Sequence, residues 1–490
     1  MRSVFDQGAP PPCPAPFNMA AYVLAHADRL AEKPALEIVG AETWSYGTLK
    51  ARVMACAGGL LDLGLKPGDR VLFRLGNTAE FPVAYLACIW AGLVPVPASA
   101  ALSVPEITEI ARQTNPALVL QAPGISRPDH PAPSIKELPD GQPVPPEMGD
   151  PDRLAYIIFT SGTSGRPRGV CHAHRAIWAR RMMWDGWYGL REDDRVMHAG
   201  AFNWTYTLGT GLMDPWSIGA TSVIPNAAST ELAQLLSDSR SSIFAAAPGI
   251  YRQLLKSPLP ALPDLRHGLS AGERLSTTIR AAWQDRTGTE IFEALGMSEC
   301  STFISACPAA PALEGSSGRP QRGRRIAVIQ DGVPVARGEP GQLAIHRDDP
   351  GLMLGYLNEP PPEGEWFITG DTVTLAEDGS ITYLGRADDM MNAGGYRVSP
   401  LEVEAAFATV PGLQECAACV VEIKRDAHVI ALFYVSDAPL PETQLQTHAE
   451  RLLARFKQPR LYIHRTSLPK GGNGKLNRRL LRDTFEGPTQ

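Results

Sequence analysis

Residues 156–169 carry the groups that a bound polyphosphate requires. They read YIIFTSGTSGRPRG, an apolar run followed by a loop of Thr, Ser and Gly. Glycines free the backbone to turn several N–H groups toward one point, and Ser and Thr hydroxyls add further donors. Arg166 and Arg168 supply positive charge. These residue types predict a triphosphate cradle after a strand, with a helix beginning near His172, although the loop does not fit the pattern GxxxxGK[ST]. A solvent-exposed Ser/Gly loop is the alternative without function.

Four later segments add acidic and basic residues, and no one of these segments indicates a function when it is taken alone. They are LGMSE at 295–299, TGD at 369–371, GRADD at 385–389 and PKGGNGK at 469–475. A lone Glu is usually a surface residue, an Asp beside Gly usually belongs to a turn, and a lysine among glycines is usually a solvated tail residue. We expect TGD to close a loop. The order of all five segments along the chain is the informative feature.

Together the five segments resemble the adenylate-forming superfamily, which contains acyl- and aryl-CoA synthetases, luciferases and nonribosomal adenylation domains. The resemblance covers the chain from Phe17 onward. It implies that a carboxylate attacks the α-phosphate of ATP, giving an acyl-adenylate and pyrophosphate, and that a thiol, commonly coenzyme A, then displaces AMP. The charge that gathers at the α-phosphate calls for cations and fixed donors. The implied cofactors are ATP, Mg²⁺ and coenzyme A as co-substrate.

The resemblance also assigns roles to single residues. Lys475 bridges the attacking carboxylate and the α-phosphate, and Glu299 is both a catalytic residue and the Mg²⁺ ligand. Asp371 accepts from the ribose hydroxyls, with Arg386 beside it. The positions implied to bind ATP or AMP are Thr160, Ser161, Gly162, Thr163, Ser164, Gly165, Arg168, Glu293, Ala294, Leu295, Ser298, Asp371 and Arg386.

The second half-reaction involves the segment after residue 386. Asp388 matches the family's hinge position, about which a small C-terminal domain rotates and withdraws Lys475. The rotation presents Gly394 and Gly395 to the pantetheine, which two glycines let pass closely, and Arg397 faces phosphate.

Three positions depart from the commonest family pattern. Arg168 stands where lysine is usual, so a planar fork replaces a point charge. Leu295 stands where many members place an aromatic residue that stacks on adenine, and Asn392 replaces a frequent lysine. None of the three removes a group that the chemistry requires.

The acid substrate is the least determined part. The segments FNWTYTLGTGL at 202–212 and SAGERL at 270–275 look most like benzoate-type aryl-CoA ligases. The expected pocket residues are Trp204, Tyr206, Ala246 with its neighbours Ala245 and Ala247, Gly272, Gly296 and Thr302. The aromatic residues among them are core residues in the alternative interpretation. A medium- or short-chain fatty acid, or a carrier-protein thiol in place of coenzyme A, also stays open.

Two other classes of protein are weighed against the ligase. Residues 268–272 satisfy the GxSxG pattern of serine hydrolases, but the preceding DLRHGL is short and charged where that motif needs a buried apolar strand. A binding protein of the same fold without catalysis is disfavoured, because no expected catalytic position is blank.

The elements that must position these residues follow from hydrophobic periodicity. A chain of 490 residues exceeds one core. Short apolar runs alternate with helical segments in the first three-quarters, which predicts an α/β fold with helix-covered, mainly parallel sheets. Beyond residue 386 the pattern becomes a small α+β unit, which the resemblance implies is mobile. We expect a disordered leader (1–16), an N-terminal AMP-binding domain (17–387) and a C-terminal lid domain (388–490), with the hinge near 386–389.

Composition limits the partners. The net charge of −6 excludes a global attraction to nucleic acid, while the last forty residues hold ten Lys/Arg against two acids and suit a phosphorylated ligand such as coenzyme A. Cys416 and Cys419 have CxxC spacing inside an apolar run, which predicts a buried strand rather than a metal or redox site. No apolar stretch approaches a membrane span. The expected protein is a cytoplasmic monomer or homodimer.

Overall fold

The computed structural model of the chain describes residues 1–8, 10–160, 167–225, 231–387, 389–393, 396–424, 427–470 and 476–485. The strands are β1 (Val4–Asp6), β2 (Pro34–Ile38), β3 (Glu42–Ser45), β4 (Arg70–Arg74), β5 (Val94–Pro97), β6 (Leu118–Gln121), β7 (Ser134–Ile135), β8 (Leu154–Thr160), β9 (Arg168–Ala173), β10 (Arg195–His198), β11 (Thr221–Ile224), β12 (Ile243–Ala246), β13 (His267–Ala271), β14 (Ile291–Met297), β15 (Ser301–Ser305), β16 (Arg319–Pro320), β17 (Arg325–Gln330), β18 (Val333–Pro334), β19 (Pro340–His346), β20 (Gly355–Tyr356), β21 (Trp366–Leu375), β22 (Ile381–Arg386), β23 (Met391–Ala393), β24 (Tyr396–Val398), β25 (Glu415–Lys424), β26 (Ala427–Val435) and β27 (Leu461–Arg465).

The helices connect these strands. They are α1 (Met19–Val23), α2 (Tyr46–Asp62), α3 (Glu80–Trp90), α4 (Val104–Thr114), α5 (Ala176–Ala179), α6 (Thr205–Leu208), α7 (Asp214–Ile218), α8 (Leu232–Asp238), α9 (Pro248–Leu254), α10 (Thr277–Thr287), α11 (Pro400–Phe407), α12 (Glu442–Leu452) and α13 (Arg478–Asp483). π-Helical turns span Trp184–Tyr188 and Gly209–Met213. No helix within the described ranges has the length and apolar character to cross a lipid bilayer.

The chain divides into two compact units. The larger comprises Phe5–Arg325 and Ile345–Phe367, and the smaller comprises Met1–Val4, Ile326–Ala344 and Ile368–Gln490.

A long sheet forms the centre of the larger unit. Over the described residues its strand order is β16-β15-β14-β13-β12-β10-β11-β2-β3, and the strands from β14 to β2 are parallel to their neighbours. The unit also contains a parallel sheet β5-β4-β6-β7 and an antiparallel sheet β20-β9-β8. Parallel strands covered by helices on both faces are continuously apolar, as in β12 (IFAA). The predicted fold class, α/β with helix-covered sheets, is confirmed.

Helix α3 shows why the core lies among these sheets. Its sequence EFPVAYLACIW is apolar on every side, and residues 81–90 are all buried. A helix without a polar face must be covered all round. It packs in one hydrophobic cluster with residues of α1 and α2, which include Val23, Leu49 and Val53.

The smaller unit contains most of a sheet with six strands among the described residues, with order β1-β17-β19-β21-β22 and β18 on β17, together with the sheets β23-β24 and β25-β26-β27. Helix α11 packs against β25 in a core that includes Val403, Phe407 and Leu432. The Cys416–Cys419 segment lies in β25 as predicted, with Cys419 buried and both thiols free.

Three local expectations differ from the structure. A strand, β9, follows the phosphate loop where a helix was expected, because β9 completes a hairpin with β8. Thr369–Asp371 lies within strand β21 rather than in a loop. The expected disordered leader contains β1, and Ser3 donates from N to Val335 O and from its hydroxyl to Ala336 O, both at 2.8 Å.

Candidate functional site

The β8–β9 hairpin positions both ends of the predicted phosphate loop. Thr160, the last residue of β8, is in register with Arg168, the first residue of β9. The intervening Ser161, Gly162, Thr163, Ser164 and Gly165 lie outside the described residues. A tight antiparallel pair at the base of a loop fixes where its backbone donors begin and end.

Arg168 is held at this base by an aromatic ring and a carboxylate. Its guanidinium carbon lies 3.4 Å from the ring centroid of Tyr356 on β20, and its Nε donates to Glu359 Oε1 at 3.0 Å. The hydrogen bond to Glu359 is the main cause that raises the pKa of Arg168. The planar fork therefore uses both its π-face and its N–H edge, which a lysine could not do.

Glu299 contacts the hydroxyl of the tyrosine whose ring lies against Arg168. The Tyr356 hydroxyl donates to Glu299 Oε1 at 2.7 Å, and Met353 N donates to the Glu299 carbonyl at 2.8 Å. Burial, followed by the charge of Glu299, raises the pKa of Tyr356, so the phenol stays a donor. The structure thus brings Arg168 and Glu299 together, although 130 positions separate them in sequence.

Ser298 is fixed by a histidine that the sequence did not single out. His172 Nε2 donates to the Ser298 carbonyl at 2.7 Å, and its ring stacks on Tyr156 with a centroid distance of 4.8 Å. Burial lowers the pKa of His172 to about 4. Neither His172 nor Tyr356 belongs to a recognisable motif, and only their spatial contacts reveal them.

Strand β14 delivers Glu293, Ala294, Leu295 and Gly296 to this region. The buried Glu293 carboxylate accepts from Leu275 N at 3.2 Å and from Arg280 Nη2 at 3.1 Å, and burial raises its pKa. A bulge lies between Leu295 and Gly296. A Cβ on Gly296 would lie 2.6 Å from the Ser301 carbonyl oxygen, so only glycine fits there.

Three of the predicted acid-pocket residues, Trp204, Tyr206 and Thr302, lie in helix α6 or in the elements next to it. Tyr206 donates to the Leu269 carbonyl at 3.1 Å, and its ring stacks on Trp187 at 5.7 Å. Trp204 is the residue before α6, and α6 packs against β15, which carries the buried Thr302. Gly272 follows β13 with a φ of +97°, a conformation that favours glycine.

Ala246 lies in strand β12, where its backbone hydrogen-bonds the Tyr206 hydroxyl. Its side chain packs with Phe244 and Tyr251, whereas Ala245 packs in the cluster that Tyr206 adjoins. Successive side chains of a strand point to opposite faces, so within the expected segment 245–247 the side chain of Ala245, not that of Ala246, lies on the face of Tyr206.

Ser270, the central residue of the GxSxG pattern, is fully buried in β13. Its hydroxyl has no hydrogen-bond partner among the described residues. A hydrolytic serine must instead be exposed and hydrogen-bonded to a base, so the geometry opposes the hydrolase alternative.

In the smaller unit Asp371 and Arg386 are neighbours across β21 and β22. They are in register, and Arg386 Nη1 donates to Asp371 Oδ1 at 3.2 Å. Tyr383 donates to the same carboxylate oxygen at 3.4 Å. Asp371 is 6% exposed and is thereby oriented by two donors.

The predicted hinge and lysine segments are described in part. Asp388, Gly394, Gly395 and Lys475 lie outside the described residues, and Arg397 lies in β24 opposite Asn392.

The neighbouring residue Asp389 forms ion pairs with helix α13. Its carboxylate lies 3.8 Å from Arg478 and 3.6 Å from Arg482. Arg478 also forms an ion pair with Glu404 of α11 at 2.6 Å, so α13, the helix after the lysine loop, is held both by Asp389 and by α11.

Glu299 fits a magnesium ion, which needs few protein ligands, better than a metal ion that is coordinated entirely by protein side chains. Among the described residues no group of three His, Cys, Asp or Glu side chains is arranged to hold a metal. Mg²⁺ typically takes one or two protein carboxylates and completes its shell with phosphates and water. A single oriented carboxylate beside the phosphate hairpin fits that requirement.

A covered parallel sheet, a hydroxyl-rich hairpin with a cation at its base, a carboxylate beside it and a C-terminal α+β unit define the class of two-part adenylate-forming enzymes. The chain belongs to the AMP-binding enzyme family. Residues 23–357 match the AMP-binding enzyme model, and residues 402–475 match the AMP-binding enzyme C-terminal domain. The resemblance that the five sequence segments carry is therefore confirmed.

Known relatives and solved structures extend over nearly the whole chain. The benzoate–CoA ligase of Thauera aromatica is 30% identical and covers 90% of this chain and 91% of its own length. The structure of a benzoate CoA ligase from Burkholderia xenovorans LB400 is 27% identical, with a TM-score of 0.84 and coverage of 95% and 100%. The anthranilate CoA ligase AuaEII in complex with anthranoyl-AMP is 25% identical, with a TM-score of 0.88 and coverage of 96% and 98%.

Proposed function

We propose that the protein is an ATP-dependent carboxylic acid–CoA ligase that acts on an aromatic, benzoate-like acid. It forms an acyl-adenylate with release of pyrophosphate and then an acyl-CoA with release of AMP. The observation that carries the proposal is the Arg168–Tyr356–Glu299 group beside the Thr160 hairpin. The benzoate and anthranilate ligases among its relatives favour an aromatic acid.

In the first half-reaction the chain's own groups bind and orient the charged reactants. The hairpin from Thr160 to Arg168 holds the β- and γ-phosphates, and Ser298 contacts phosphate. Glu299 holds Mg²⁺, which supplies charge neutralisation at the phosphates when bound. Lys475 brings the acid's carboxylate to the α-phosphate. Fixed donors of this kind stabilise charge as it develops without reorganising.

The nucleoside and the second half-reaction involve the C-terminal segments. Asp371, oriented by Arg386 and Tyr383, accepts from the ribose hydroxyls. Rotation about Asp388 withdraws Lys475 and presents Gly394 and Gly395 to the pantetheine, with Arg397 facing phosphate. We propose that the lid domain begins at 387/388, within the smaller compact unit, and that the protein is a monomer or homodimer in the cytoplasm.

A pyrophosphate-release screen tests the proposal. Benzoate, hydroxybenzoates, aminobenzoates and C2–C10 fatty acids are supplied with ATP, Mg²⁺ and either coenzyme A or none. Release that depends on an aryl acid, with thioester formed only when coenzyme A is present, is the expected result. Turnover of fatty acids alone would replace the aromatic substrate by the aliphatic alternative, and adenylate without thioester would favour a carrier-protein thiol.

Two variants separate the half-reactions. Lys475→Ala should abolish acid-dependent pyrophosphate release while thioester still forms from supplied acyl-adenylate. Asp388→Pro should give the reverse, because proline fixes φ at the hinge. Unchanged rates for both half-reactions in Lys475→Ala would remove the role given to that lysine, and normal thioester output from Asp388→Pro would remove the hinge. Ser270→Ala should retain activity, since the hydrolase alternative needs that hydroxyl.

A further inference from the structure

Three buried polar atoms next to the proposed acid pocket have no hydrogen-bond partner within the part of the chain that the structure describes. They are Nδ1 and Nε2 of His198 and Oγ1 of Thr207. His198 is 4% exposed and Thr207 is completely buried. The great majority of buried side-chain polar atoms are paired, and a histidine with both nitrogens unpaired is therefore exceptional.

Two glycines make the space in which these atoms lie. A Cβ on Gly200 would be 2.3 Å from Thr207 Oγ1 and 3.1 Å from His198 Nδ1, so both polar atoms point toward the same glycine. A Cβ on Gly211 would be 2.7 Å from His198 Cβ. Asn77 holds the loop, donating to Gly200 O at 2.6 Å and accepting from Phe202 N at 3.0 Å. The imidazole therefore fits only because positions 200 and 211 carry no side chain.

The same imidazole lies against Tyr206, a proposed wall of the acid pocket. The two ring centroids are 4.3 Å apart with an interplanar angle of 75°. An edge-to-face contact can direct one N–H at a ring, and such contacts are weak. It can satisfy at most one of the two nitrogens, so at least one remains for another partner.

The charge state of this group restricts the partner. Burial, followed by the charge of Arg180, lowers the pKa of His198 to about 3, so the imidazole is neutral at pH 7. A neutral imidazole offers one donor and one acceptor, and a threonine hydroxyl can serve as either. Arg180 itself is paired with Asp214 at 2.6 Å. A hydroxyl or amino group matches these atoms, whereas a second carboxylate would lack a free cation.

We propose that His198 and Thr207 form a polar subsite that selects an aromatic acid carrying a neutral hydroxyl or amino substituent on its ring. The inference rests on the proposed ligase function and specifies its substrate class. A pocket built to hydrogen-bond a substituent discriminates strongly against the analogue that lacks it, because its buried polar atoms are then left unpaired.

The test compares kcat/KM for benzoate with kcat/KM for its 2-, 3- and 4-hydroxy and 2-, 3- and 4-amino derivatives. In the wild-type protein at least one derivative should exceed benzoate by about tenfold or more. In His198→Phe the ratio of the best derivative to benzoate should fall to near one. His198→Asn, which keeps a donor and an acceptor, should restore part of the ratio, and Thr207→Val should lower it without changing side-chain size.

Controls separate selection from folding. Ser270→Ala removes another buried, unpaired hydroxyl, on the sheet face shared with Ala246, and should leave the ratio unchanged. If His198→Phe does not fold, Thr207→Val and His198→Asn carry the test. Equal loss with every acid would show a structural role or a buried water and would overturn the proposal, as would a wild-type preference for benzoate. Absence of turnover with any aryl acid would instead overturn the proposal that the ligase acts on an aromatic acid, and the proposed subsite would fail with it.

Discussion

His172 and His198 are two buried histidines in similar surroundings with different hydrogen bonding. Their side chains are 2% and 4% exposed, each ring contacts a tyrosine, and burial lowers the pKa values to about 4 and about 3. Among the described residues, Nε2 of His172 donates to the Ser298 carbonyl at 2.7 Å and its Nδ1 has no partner, whereas neither ring nitrogen of His198 has a hydrogen-bond partner. In the region proposed to bind phosphate, a protein hydrogen bond thus fixes one nitrogen of the imidazole. The region proposed to meet the acid leaves polar atoms for a substrate.

Arg180 links the two regions, because its charge contributes to lowering the pKa of both histidines. The charge is balanced by Asp214, to which Tyr188 also donates at 2.7 Å. Asp214→Asn leaves a buried guanidinium without its counter-charge. We expect the free energy of unfolding to fall by about 3–5 kcal/mol, measured by urea denaturation.

The exposed pair Arg29–Glu192 provides the control, since its side chains are 54% and 45% exposed. Glu192→Gln should change stability by no more than about 1 kcal/mol. Similar losses of stability in the two variants would mean that Arg180 does not depend on Asp214 as a counter-charge. Solvent would then screen the effect of the Arg180 charge on the two histidines.

Glu299→Gln directly tests the region proposed to bind phosphate. The amide keeps the size of the side chain but removes the charge that a metal ion requires, so adenylation should slow by about 10²–10³-fold. Pyrophosphate release at saturating ATP and varied Mg²⁺ measures the effect. Glu359→Gln removes a half-exposed carboxylate from the same Arg168 group and should cost far less. Equal rates of pyrophosphate release in both variants would contradict the proposal that Glu299 is the Mg²⁺ ligand.

His172→Phe should have a smaller effect on the same reaction. It keeps the stacking on Tyr156 and removes the donor to Ser298, so Glu299 is less firmly positioned. Groups that orient a metal ligand typically contribute about 10–100-fold to affinity or activity. The loss should appear in the Mg²⁺ dependence, and His172→Gln, which can still donate, should recover part of it. A loss independent of Mg²⁺ and shared by the Gln variant would indicate damage to packing alone.

The sequence predicts much of the fold because periodicity and glycine clusters are local signals. The apolar run around Cys416 predicts strand β25, and the strand–helix alternation predicts the covered parallel sheet. Local signals do not tell which strand a segment will pair with, so the strand after the phosphate loop was expected to be a helix. They also do not fix strand faces, and Ala245 rather than Ala246 shares the face of Tyr206.

The candidate site divides in the same way. Motifs indicate Glu299, Arg168 and Asp371, whose types are required by the chemistry. His172, Tyr356 and His198 act through neighbours that are distant in sequence, and a single histidine in an apolar strand has no signature of its own. Their roles emerge only when the sheet brings the strands together.

The pH dependence of stability gives the smallest expected effect and tests what the two histidines share. Their folded pKa values, about 4 and about 3, lie below the ordinary value of 6.5. The unfolded chain therefore binds protons that the folded protein does not, and stability present above pH 6.5 is lost as the pH falls toward 4. Each neutral histidine should contribute about 2 kcal/mol of this loss between pH 8 and pH 5. Urea denaturation at both pH values should show the loss reduced by that amount in His172→Gln and equally in His198→Asn. Equal reductions would mean that both imidazoles are uncharged and that hydrogen bonding alone distinguishes them, whereas an unchanged loss in His198→Asn would mean that His198 is protonated in the folded protein and suits an anionic partner instead.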